Sequence, residues 1–101
     1  MDITTAIKRI LKTGKVEYGS KKAIENTLNG KAKAIITAEN CPKEIKQDIK
    51  TYTKQANIPL IEYKGTALEL GEICGKPFLV ANITIINEGD VDIKKLQEEK
   101  P

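Results

Sequence analysis

Near the start of the chain Ile3, Ala6, Ile7, Ile10 and Leu11 recur at intervals of three and four, the period of one helical face. Asp2 or a neighbouring Thr can cap this first helix, and Gly14 can end it. Lys15–Tyr18 alternates like a short strand, after which Gly19 and Ser20 open a second helix. Its apolar face reads Ala23, Ile24, Thr27 and Leu28, and Gly30 closes it. The unbroken run Ala34–Ala38 has the character of a strand buried on both faces and predicts the central strand. Beyond Asn40 and Cys41, Pro42 suits the first turn of a helix, where its missing N–H would be unpaired anyway. Ile45, Ile49, Tyr52 and Ala56 then form one stripe of a third helix.

Ile58–Tyr63 predicts a third strand. In Thr66-Ala67-Leu68-Glu69 the hydroxyl and the carboxylate can satisfy first-turn amides reciprocally, a capping box that opens a fourth helix running to about Ile73. Leu79–Ile86 predicts a fourth strand and Asn87-Glu88-Gly89-Asp90 a turn. Val91, Ile93 and Leu96 suggest a weak terminal helix before a charged, frayed end. Helices alternating with short apolar strands imply an α/β fold, a three-layer α/β/α sandwich in a single domain over residues 1–101.

Composition narrows the function. With 101 residues and 40% apolar content, the chain can bury about 60 to 70% of its unfolded surface without disulfides. No apolar run approaches the roughly 20 residues of a membrane span, and the start of the chain lacks the segments of a signal peptide, so a cytoplasmic, membrane-free protein is expected. His is absent, and Cys41 and Cys74 stand far apart. A zinc site is therefore not expected, nor any cofactor, and both cysteines read as buried or turn thiols. The net charge of +3 is unevenly spread: residues 1–50 hold 11 Lys or Arg against 6 Asp or Glu, and residues 51–101 hold 6 against 8. A polyanion would favour the first half; charge alone equally describes a solvated surface.

Three short stretches at predicted turns carry the candidate chemistry. Gly14–Lys21 nearly matches a phosphate-binding loop, but the final Lys and Ser are exchanged and a helix precedes it, which disfavours nucleotide hydrolysis. What survives is simpler. Gly19 lets a backbone approach a ligand, Ser20 caps a helix whose positive end attracts an anion, and Lys21 and Lys22 add charge. The same four residues also suit an ordinary strand-to-helix turn. Asn40 can cap the third helix or pair its amide with a base edge. Lys43 and Lys46 lie opposite the Ile45 stripe, facing solvent or a phosphate. In Gly75-Lys76-Pro77-Phe78 the one Phe of the chain stands beside a lysine; such a Phe is usually core, but in a loop it can cover a splayed base. Without His, a nucleophilic Cys or Ser lacks its usual base, and enzymatic function is not expected.

The ordered motifs resemble those of the archaeal and eukaryotic large-subunit ribosomal protein L-thirty-e family, within the L-seven-Ae kink-turn RNA-binding superfamily. The likeness rests on the K-x-G-K-x-x-x-G run from Lys12 to Gly19, the lysine-rich helix start, the A-x-N-x-P turn of Ala38–Pro42, the G-T-x-x-E-L-G segment of Gly65–Gly71 and the G-K-x-F of Gly75–Phe78. Kink-turn specialists of the superfamily usually carry a G-T-N-E-like helix start and an acidic turn, so Gly19-Ser20-Lys21-Lys22 and Glu39-Asn40-Cys41-Pro42 favour the ribosomal branch, in its compact archaeal form. The resemblance implies a four-stranded mixed sheet between helices and a loop edge that holds a kinked internal loop of ribosomal RNA, alongside other large-subunit proteins. Residue by residue, it implies close RNA approach at Gly19 and a contact from Lys21 to the kinked backbone or a guanine. Asn40 would read an extruded or sheared base, Lys46 would meet phosphate and Phe78 would pack on a flipped nucleotide. Lys22 and Lys76 would support electrostatically, and Pro77 would shape its loop. The expected protein is a monomer when free. The alternatives are an autoregulatory or small-ribonucleoprotein factor using the same edge, and a nucleotide-binding domain using Gly19 and Ser20.

Overall fold

The computed structural model describes residues 3–93. Among these residues the order is α1 (Ile3–Thr13), β1 (Lys15–Tyr18), α2 (Ser20–Leu28), β2 (Ala34–Ala38), α3 (Lys43–Ala56), β3 (Leu60–Tyr63), α4 (Ala67–Ile73) and β4 (Asn82–Asn87). The strands form one mixed sheet in the order β1-β4-β2-β3. β4 runs antiparallel to both β1 and β2, whereas β2 and β3 are parallel and joined through α3. Parallel neighbours need such a crossover because a tight hairpin cannot reverse the chain twice.

Alternation along the strands divides the side chains between two layers. On one face Ala34, Ile36, Ala38, Ile61, Ile83 and Ile85 meet Ala6, Ile7 and Ile10 of α1 and Ala67 and Leu70 of α4. On the other face Ile35 meets Ala23 of α2 and Ile49 of α3. The three-layer arrangement expected from the sequence is therefore present. The second face is the more polar: Thr37 pairs with Asn82 and Ile35 with Thr84 across β2 and β4, and all four are fully buried.

The structure corrects several local expectations. Leu28 is 64% exposed, while Asn26 is buried and donates to Glu17 Oε1 at 2.6 Å. A helix face is chosen by what lies beneath it, and here a carboxylate on β1 holds the amide. In α3 the exposed Ala56 is replaced on the buried face by Thr53, whose hydroxyl donates to the Ile49 carbonyl at 2.7 Å and so enters the interior with its polar group paired. Pro42 stands one residue before the first helical position of α3. β3 starts at Leu60 and β4 at Asn82, both later than the hydrophobic runs suggest; Leu79 is 67% exposed. The capping box forms as expected: Glu69 N donates to Thr66 Oγ1 at 3.2 Å and Thr66 N to Glu69 Oε1 at 3.0 Å. Val91 is buried and Ile93 packs half-buried against the core, whereas Leu96 lies outside the described residues.

Candidate nucleic-acid interface

Strand direction decides which loops meet. β1, β2 and β3 end, and β4 begins, at the same edge of the sheet. The turns at Gly19, Asn40, Thr66 and Phe78, separated by up to 59 residues of chain, are thereby gathered on one side. Backbone hydrogen bonds join them. Gly19 N donates to the Asn82 carbonyl at 3.0 Å, Ala38 N to Ala81 at 2.7 Å, Glu39 N to Gly65 at 2.9 Å and Val80 N to Ala67 at 3.0 Å.

Gly19 sits at φ 104° and ψ 153° as the residue preceding α2, with open space where a Cβ would project. Such a conformation is essentially reserved for glycine, so the position is dictated by backbone rather than by crowding. Ser20 does not cap α2. Its Oγ instead accepts from Asn82 Nδ2 at 2.8 Å, because the first helical position directs the side chain back towards β4. Lys21 and Lys22 are exposed on the first turn, and Lys22 Nζ lies 3.8 Å from Glu25 Oε2. An exposed pair of that kind contributes little, leaving the lysine available to a stronger anion.

Asn40 does not cap α3. Its Oδ1 accepts from Ala67 N at 2.7 Å, satisfying a first-turn amide of α4. An exposed side chain from the β2–α3 turn thus ties two loops together, and its NH2 group remains to donate outward. Lys46 Nζ reaches the Glu39 carbonyl at 3.5 Å, and Lys43 is exposed on the first turn of α3. Lys76 Nζ lies 5.0 Å from the centre of the Tyr18 ring, a cation–π contact that docks the loop after α4 against β1. Beyond it Pro77 is exposed, and Phe78 and Leu79 are 52% and 67% exposed, an apolar tip rather than core.

Every candidate residue therefore lies along this edge, and three contributors escape a reading of the sequence. Asn82 is fully buried behind it, Tyr18 carries Lys76, and Leu79 extends the apolar tip. Asn82 lies inside an apolar run, where a polar residue was the one available signal; Leu79 was hidden by reading that run as strand from its start. The phosphate-loop alternative loses ground, since the residues between Gly14 and Gly19 form β1 and a Cβ at Gly14 would strike the Asn87 carbonyl at 2.0 Å. A strand packed in a sheet cannot wrap a phosphate. Cys41 is buried and Cys74 half-buried, and both are free thiols.

Comparison of the whole chain decides the ancestry. The model described as "Ribosomal protein L7Ae/L30e/S12e/Gadd45 family" matches residues 1–95. The chain belongs to this family. Among its relatives, the "Large ribosomal subunit protein eL30" of Methanocaldococcus jannaschii is 44% identical over 100 residues, covering 99% of this chain and 91% of the relative. The protein of the same name from Saccharolobus solfataricus is 46% identical over 94 residues, covering 93% and 87%. That from Methanosarcina mazei is 38% identical over 93 residues, covering 92% and 86%. The family suggested by the motifs is the family found, and these relatives are named as ribosomal proteins and not as enzymes.

Proposed function

We propose that the protein is a constituent of the large ribosomal subunit in the cytoplasm, where it binds ribosomal RNA at a kink-turn or similar internal loop through the Gly19, Asn40 and Phe78 edge. It acts beside other large-subunit proteins, is a single RNA-binding domain and is monomeric when free. The observation that carries the reading is the convergence of three turns on one sheet edge, with exposed lysines around a donor amide and an apolar tip. Lys21, Lys22, Lys43 and Lys46 meet phosphates. Lys76, held over Tyr18, adds charge next to Phe78, which covers an unstacked base. Pro77 limits how that loop bends.

Asn40 supplies the base reading. Its oxygen already serves Ala67 N, so the group it offers is the NH2, which suits acceptor edges such as guanine O6 or purine N7. A-form RNA hides its major-groove edges, which makes an internal loop with extruded bases the accessible target. Because such an edge fits the kinked form better than the extended one, binding shifts the RNA towards the kink by that difference in affinity.

Titration against a kink-turn RNA and a length-matched continuous duplex at two salt concentrations tests this. Preference for the kinked RNA that persists at the higher salt is the expected result. Equal binding to both, lost together as salt rises, would reduce the edge to a basic surface.

A further inference from the structure

We infer that Asn82 is a positioning residue for RNA recognition, locking the Gly19-Ser20 turn to the Cys41 turn from inside the protein. The inference rests on the RNA-binding reading given above. Asn82 opens β4, an inner strand, and is fully buried. Its backbone carbonyl accepts from Gly19 N at 3.0 Å, while its Nδ2 donates to Ser20 Oγ at 2.8 Å and to Cys41 Sγ at 3.4 Å. One residue thereby holds the turn that starts α2 and the turn that leads into α3, the two that carry Gly19, Lys21 and Asn40.

Stability gives little reason for an asparagine at this place. Its Oδ1 is buried without a hydrogen-bond partner among the protein atoms, as are the hydroxyls of Thr37, its cross-strand neighbour, and of Thr84 on the same face of β4. A buried polar atom left unpaired costs free energy, whereas a small apolar side chain here would cost none of it. What the carboxamide contributes is directional: through its two hydrogen bonds it joins one turn to the other, and directional bonds set separation where apolar packing sets only proximity. A kinked RNA contacting both turns at once needs that separation fixed in advance, since ordering it on binding would subtract from affinity.

The test compares wild type, Asn82→Ala, Ser20→Ala and the double variant in titrations against the kinked RNA and the continuous duplex, with thermal unfolding of each. None of these changes alters charge. We expect Asn82→Ala to melt near the wild-type temperature, to bind the kinked RNA roughly three- to tenfold more weakly and to bind the duplex unchanged, the fold-change corresponding to one hydrogen bond. Ser20→Ala should show the same selective loss, and the double variant no more than either single one, because both break one linkage. Wild-type affinity in Asn82→Ala, equal losses on both RNAs, or additive losses in the double variant overturns the inference while leaving the RNA-binding reading intact. Should Asn82→Ala fail to fold, Ser20→Ala decides alone: selective loss for the kinked RNA supports the linkage and unchanged binding overturns it. A wild-type protein without preference for the kink overturns the RNA-binding reading and this inference with it.

Discussion

At the scale of single residues, the edge is built from side chains and backbone positions that carry two duties. Asn40 caps α4 and, in the function proposed, also reads a base, and the two duties can be separated. Asn40→Asp retains an oxygen for Ala67 N but loses the NH2, so it should keep near-wild-type stability and lose base discrimination of about 1–3 kcal/mol. Asn40→Ala should lose the same discrimination and, in addition, about 1 kcal/mol of stability. Urea unfolding together with binding to guanine-substituted kink-turn RNAs checks both; a destabilised Asn40→Ala with unaltered discrimination would show that Asn40 only ties loops. Gly19 poses a cleaner case. Nothing crowds its Cβ position, so Gly19→Ala should cost about 1–3 kcal/mol through backbone conformation alone, measured as a lowered urea midpoint.

At the scale of elements, α4 fixes where the apolar tip stands. A Cβ on Gly71 would lie 2.3 Å from the Phe78 carbonyl oxygen, so the helix and the loop that follows approach as closely as backbone permits. Gly71→Ala must push that loop outward. Overpacking of this kind costs about 1–3 kcal/mol. The melting temperature should fall by several degrees per kcal/mol for a domain of this size, and affinity for the kinked RNA should fall as Phe78 and Lys76 are displaced. An affinity unchanged despite the lower melting temperature would remove the tip from the interface. The capping box supports the same geometry, since Thr66 and Glu69 pin the first turn of α4 that Asn40 also grips.

At the scale of the whole molecule, charge and titration behave as global properties. Four of the eleven Lys or Arg in residues 1–50, namely Lys21, Lys22, Lys43 and Lys46, stand at the turns that the topology collects, so Lys21→Ala should weaken binding to all RNAs and lower the salt slope of log K by about one. With no His, the chain has no side chain whose ordinary pKa lies between pH 5 and 8, and RNA affinity should be flat from pH 6 to 8. Alkaline conditions differ. Burial raises Cys74 from its ordinary 9.0, with Lys76 opposing, and raises Tyr18 and Tyr63 from 10.0, reinforced by Cys74 at Tyr18 and by Glu69 at Tyr63. A raised folded pKa favours the neutral form in the fold, so this stability is complete below the unfolded value and is lost as pH rises through the folded one. Urea midpoints measured from pH 6 to 11 should therefore hold to about 9 and then decline; a decline beginning below 8 would contradict the assignment.

The sequence by itself determined the kinds of element, their order and the three stretches that carry the candidate chemistry. Helical and strand periods are local, and so is a capping box such as Thr66–Glu69. The family motifs are local as well, which is why the proposed RNA edge could be assigned to Gly19, Asn40 and Phe78 before their neighbours were known. Tertiary structure alone decided what those residues do there. Asn40 serves α4 and not α3, and Ser20 turns inward to Asn82, because the partner of a polar side chain is whichever group the fold brings within about 3 Å. Leu28, Ala56 and Leu79 face solvent while Asn26, Thr53 and Asn82 are buried, because burial depends on what a neighbouring element supplies and not on hydrophobicity in sequence. The direction of each strand, settled by hydrogen-bond pairing across tens of residues, is what made one surface of three separate turns.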